Sequence, residues 1–139
     1  MQSYIAIPPL NYLFPDQTIP LSAFIPPPLP EGYQVTAILI TSLPSERDQA
    51  LTEILAPEIR YNEDRTIAEI AGSVRVEEFT SDENQVWVAA VAYSDGNPVG
   101  IRKWISAGKL QPGEDIVFEM NLYSLGPPID RIQLFSELY

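Results

Sequence analysis

Gln85–Ile105, QVWVAAVAYSDGNPVGIRKWI, carries the pattern that decides the fold. Two runs rich in β-branched and aromatic residues, Gln85–Tyr93 and Val99–Ile105, flank Asp95-Gly96-Asn97. Such side chains fit a pleated, half-buried surface, and Gly96 and Asn97 tolerate the positive φ that a tight reversal needs. The stretch predicts a β-hairpin.

Working outward, strands are expected at Ile67–Val76, Ile116–Leu122 and Ile129–Leu138, separated by turn signals at roughly 8–12 residues. Gly72 inside the first of these predicts a bulge. Gln111-Pro112-Gly113-Glu114 reads as a turn, with Pro112 presetting φ and Gly113 free to go left-handed. Tyr33–Ile40 alternates like a strand before becoming apolar on both faces. Ahead of Thr66, two readings fit: a short helix over 46–55, capped at Ser45 and ended by Pro57, or an extended strand over Leu51–Ile59. Eight of the fourteen prolines lie in the first thirty residues. Proline lacks an amide donor and fixes φ, so those segments are expected as extended edges or crossovers, with Pro26–Pro30 a connection between strands. Many short strands with little helix predict an all-β, immunoglobulin-like antiparallel sandwich.

The 139 residues suit one domain of ordinary size, or one complete small sandwich with part of another attached, and 45% hydrophobic content supports a core without metal or disulfide. Nineteen acidic residues against eight basic ones, with no Lys/Arg cluster, repel phosphate backbones and anionic lipid heads. Nucleic acid and membrane insertion are therefore not expected, and the acidity reads as a solubility device. Met1-Gln2-Ser3-Tyr4 opens no signal peptide, so an exported module would be a fragment of a longer chain.

Shifting the chain on itself by 97 positions lays Leu13–Leu21 over Leu110–Phe118, and Val35 and Ala37 over Ile132 and Leu134. Apolar positions meet apolar positions, which predicts a repeat. Residues 1–43 then form the trailing half of a preceding sandwich, 44–60 a linker or first strand, and 61–139 a complete domain. Their apolar residues, among them Ile5, Ile7, Leu10, Leu13 and Leu21, need cover, either by folding back or by a homodimer through residues 1–43.

Gly72-Ser73-Val74-Arg75-Val76, Tyr93-Ser94-Asp95-Gly96 with Val99-Gly100, and Leu110-Gln111-Pro112-Gly113-Glu114 followed by Phe118 carry a resemblance to the FxLYD-type domains, immunoglobulin-like modules of bacterial envelope and secreted proteins. It covers residues 51–139, and 1–43 as part of a preceding copy. It departs from the family where Glu77-Glu78 stand in place of an asparagine. It implies a sandwich in an extracytoplasmic setting, secreted or anchored to the envelope, and transfers no catalytic residue.

The chain has no histidine and no cysteine, which removes Ser-His-Asp and Cys-His catalysis and the usual zinc sites. Glu77-Glu78 and Asp82-Glu83 are sequence neighbours, which point apart or into water instead of flanking a cleft as a glycosidase pair must. Lys103 and Lys109 read as surface charge. Ser81–Asn84 and Asp95–Asn97 offer oxygen ligands but no spaced acidic ladder, so ordinary turn chemistry is expected in place of calcium. No catalytic residue, cofactor or metal site is expected. Of the aromatics, Trp87 is expected at the centre of the core, whereas Trp104, beside Lys103, is the candidate exposed binding aromatic. The composite expectation is a non-catalytic spacer, adhesion or protein-interaction module, whose partner is a protein or a neighbouring repeat domain. The alternative is a carbohydrate-binding accessory module, which needs a planar exposed row of aromatics.

Overall fold

The structure, a computed structural model, describes residues 4–13, 17–23, 25–28, 31–32, 52–77, 85–107 and 113–139. Six strands are present: β1 (Thr52–Tyr61), β2 (Ile67–Val76), β3 (Val86–Ser94), β4 (Asn97–Ile105), β5 (Asp115–Tyr123) and β6 (Arg131–Leu138). They form two three-stranded antiparallel sheets, ordered β1-β2-β5 and β4-β3-β6. The all-β sandwich expected from the sequence is the fold observed. Its sheets stack so that β1 lies against β6 and β5 against β4.

Alternation explains the packing. Ala68, Ile70, Val74 and Val76 of β2 and Phe118, Met120 and Leu122 of β5 point inward, against Val86, Val88, Ala90 and Ala92 of β3. Their neighbours on the other side of β2 and β5, such as Glu69, Arg75, Glu119 and Asn121, are exposed. Burying a Val, Ile or Phe side chain contributes roughly 1.5–3 kcal/mol, so this shared inner layer is the main stabilising element. Seams are closed by polar groups. Thr52 Oγ1 and Ser136 Oγ bond at 2.8 Å between β1 and β6. Buried Ser106 exchanges bonds with Val86, donating its amide to the Val86 carbonyl and accepting the Val86 amide on Oγ.

The hairpin is where the sequence placed it, with a different pair of residues turning the chain. Asp95 and Gly96 hold φ of 49° and 78°, while Asn97 pairs with Ser94 as the first residue of β4. Positive φ at both central positions is the type I′ geometry, whose twist matches that of the flanking strands. Asn97 instead donates its side-chain amide to the Asp95 carbonyl at 3.2 Å. Gly113 has φ of 76°, as its turn requires.

Two other expectations change. Strand β1 occupies 52–61, so the strand reading holds over those residues and the helix reading does not. Its partner β2 supplies ladder bonds that a helix over 52–55 would forgo. The bulge is not on Gly72 but opposite it. The register passes from Leu55↔Ser73 to Glu58↔Ala71, so Ala56 and Pro57 together face Gly72. Ala56 takes φ of 43°, and Pro57, which cannot donate to a ladder, sits at the irregularity of an edge strand. Gly72 has a packing role. A Cβ there would stand 3.1 Å from the Phe118 ring and 3.3 Å from the Leu55 carbonyl, so its absence leaves room for Phe118 to lie over the backbone.

The N-terminal segment lies on the far side of β4-β3-β6. Leu10 is buried in a second apolar cluster with Ala89, Val91 and Phe135, and Ile19 packs at its margin. A bridge between Ile7 and Ser22 joins two limbs of the segment. Within the single chain, Leu10 and Ile19 thus cover part of this outer face. The strand expected at Tyr33–Ile40, residues 46–51 of the helix reading, and Lys109 lie outside the described residues.

Candidate functional site

The outer face of β4-β3-β6 is built from alternate residues of three strands. Trp87, Ala89, Val91 and Tyr93 come from β3, Ile101 and Lys103 from β4, and Gln133, Phe135 and Glu137 from β6. Strand β3 is therefore apolar on both sides, because both of its sides are covered. Glu137 lies opposite Trp87 and is 5% exposed. Its Oε2 accepts the backbone amides of Asn11 and Tyr12, at 2.7 and 3.1 Å. Leu10 fills the apolar floor beside it. One hydrophobic anchor followed by two successive amides on a single carboxylate is the chemistry by which a sheet face holds an extended peptide.

Aromatic and cationic groups wall this groove. Trp87 stacks on Tyr139 with ring centroids 4.2 Å apart at 15°, while Lys103 Nζ lies 2.8 Å from the Trp87 ring centre. Burial lowers the Lys103 pKa from its ordinary value, and the nearby Glu137 carboxylate opposes that shift. The buried Trp87 Nε1–H finds no acceptor among the described residues. Farther along the face the Arg131 guanidinium lies 4.2 Å over the Tyr93 ring. Asp130, next to Arg131, accepts the Asp95 amide at 2.7 Å and so ties the hairpin to the start of β6.

A second surface lies at the β4/β5 side. Arg102, Glu119, Asn121 and Tyr123 line an open depression of about 370 Å³ over Met120. Glu119, Asn121 and Tyr123 alternate along the outward side of β5, and Tyr123 is 55% exposed. Gly100 lets β4 approach the Tyr123 carbonyl more closely than any side chain would permit.

The two tryptophans exchange the positions expected of them. Trp104 pairs with Val88, whose side chain faces the inner core, and it packs there with its ring 6.0 Å from that of Phe118. Trp87 is on the outer face, in the groove. Trp104 is thus partly buried between the sheets and forms no exposed row with a tyrosine. Glu77 is exposed just beyond β2, and Glu78, Asp82 and Glu83 lie outside the described residues. Among the described residues no group of three His, Cys, Asp or Glu gathers to hold a metal ion. The residue that sequence reasoning missed is Glu137. Its one signal is its place two residues after Phe135, which puts a carboxylate on the same strand face as an apolar ring. No family model matches the chain, and no curated protein and no solved structure is significantly similar to it.

Proposed function

We propose that the chain is a non-catalytic β-sandwich module that works as a spacer, adhesion or protein-interaction unit, an immunoglobulin-like domain of the FxLYD kind in an extracytoplasmic, tandemly repeated setting. One observation carries the reading: the outer face of β4-β3-β6 holds the chain's own N-terminal segment in place through Leu10 and the Glu137 carboxylate. That arrangement holds a chain without making or breaking a bond, and aromatic side chains suited to interfaces surround it. A panel of glycoside and ester substrates tests it. No turnover is expected that Glu77→Ala, Glu78→Ala, Asp82→Ala or Glu83→Ala abolishes, and turnover lost in any of these would overturn the reading.

The exposed Tyr123 ring beside Glu119, Asn121 and Arg102 favours a second reading, a carbohydrate-binding accessory module. A ring face stacks on a pyranose while the polar neighbours take its hydroxyls. Titration calorimetry against a set of oligosaccharides decides between the two: heat that disappears in Tyr123→Ala favours sugar, and no heat with any oligosaccharide favours the interaction module.

A further inference from the structure

The groove that holds residues 9–12 is filled by a segment that is poorly covered in turn. Ile5, Ile7 and Leu13, on either side of buried Leu10, remain 83%, 65% and 56% exposed. The same segment is electrically distinct from the rest of the chain. Residues 1–30 contain one charged side chain, Asp16, in a protein with nineteen acidic and eight basic residues. A second copy of an acidic chain meets like-charge repulsion over most of its surface, and this segment is where that repulsion is least. Residues 33–51 join Gly32 to Thr52. Nineteen residues reach roughly 60 Å when extended, beyond the width of about 35 Å of a domain this size.

We propose that the groove between Glu137, Trp87 and Phe135 is a docking site for the N-terminal segment of a second copy, so that two chains exchange these segments reciprocally. Each chain then contributes Leu10 and the Asn11 and Tyr12 amides to its partner's groove. Every contact of the folded-back arrangement is kept, because the exchanged segment is chemically identical. The crossing segments cover each other's Ile5, Ile7 and Leu13. The pairing is two-fold and closed, so it ends at a dimer. This deepens the protein-interaction reading by naming the partner, and rests on that reading for the role of the groove.

Light scattering on the full chain, over micromolar to millimolar concentration, is the test. The expected mass rises from 15.5 kDa toward twice that value. Leu10→Glu removes the donor and keeps the groove, while Glu137→Gln weakens the groove and keeps the donor. Each variant alone is expected to stay monomeric, and a mixture of the two is expected to recover a one-to-one heterodimer. Leu10→Ala repeats the donor arm should Leu10→Glu fail to unfold cooperatively. A wild-type chain that remains at 15.5 kDa throughout overturns the exchange and leaves the groove to its own segment. Variants that dimerise alone as well as wild type overturn it too, by placing the interface elsewhere. Wild-type chain that stays monomeric and floats with neutral phosphatidylcholine vesicles overturns it in favour of lipid. None of these outcomes bears on the substrate panel, whose result decides the non-catalytic reading separately.

Discussion

Trp104 and Trp87 differ in what lies behind each ring. Trp104 meets Phe118 across the inner layer at a tilt of 50°, and Phe118 in turn fills the space left by Gly72, so one aromatic pair joins both sheets. Truncating it opens a cavity that the sheets cannot close, and Trp104→Ala is expected to cost about 3 kcal/mol. Trp87→Ala loses the Tyr139 stack and the Lys103 contact, about 1 kcal/mol each, but also removes an indole N–H that is buried without an acceptor. Its net cost is expected near 1 kcal/mol. Urea midpoints of the two variants check the order, and a larger loss at Trp87 would show that the outer face dominates.

Lys103 supplies a pH test with a defined sign. Burial lowers its pKa in the folded chain below the ordinary 10.5, so the unfolded chain binds the proton more tightly. Stability therefore rises with pH between the lowered folded value and 10.5. Below that window the penalty of keeping the ammonium partly buried is fully present. Lys103→Met keeps the stem over Trp87 and removes the titration, so its stability relative to wild type is expected to fall as pH rises through the window toward 10.5. A relative stability that is flat or grows across the window would contradict the assignment.

Within its element, the β3-β4 hairpin depends on backbone conformation more than on contacts. Asp95 and Gly96 both sit at positive φ, and a Cβ on Gly96 would meet nothing within 4 Å. Gly96→Ala therefore carries a backbone cost alone, expected at about 1 kcal/mol. Asp95→Asn should be nearly neutral, since asparagine also tolerates the left-handed region. Thermal unfolding of both variants is the measurement. A loss at Gly96 far above this value would mean that the turn also guides strand pairing. In β1 the bulge at Ala56-Pro57 does comparable work by bending an edge strand, which discourages edge-to-edge addition of another sheet.

For the whole molecule, the net charge of −11 is spread over 139 residues and is offset locally at contacts such as the exposed Arg75–Asp115 pair at 2.8 Å. Self-repulsion favours the expanded chain, and salt screens it over roughly 10 Å at 0.1 M. The urea midpoint at neutral pH is therefore expected to rise from low salt to physiological salt. A midpoint that falls would indicate that exposed ion pairs, and not repulsion, dominate the surface electrostatics.

The five strands from Ile67 onward, the antiparallel hairpin, the left-handed Gly113 and the all-β class follow from local chemistry, because β-propensity, alternation and positive-φ residues act within a few positions of one another. Which face of β3 points inward does not follow. Val86–Ala92 is apolar on both sides, so alternation within the strand carries no sign, and only pairing with the half-polar strands β4 and β6 orients Trp87 outward and Trp104 inward. Gly72 misled for a related reason: a glycine in a strand reports crowding or curvature without saying which, and the facing Phe118 decides. Glu137 reads as a solvated carboxylate until residues more than a hundred positions away bring their amides to it. The peptide-holding groove is thus a property of tertiary structure, since its anchor, its carboxylate and its aromatic wall meet only when the N-terminal segment crosses a sheet assembled from the other end of the chain.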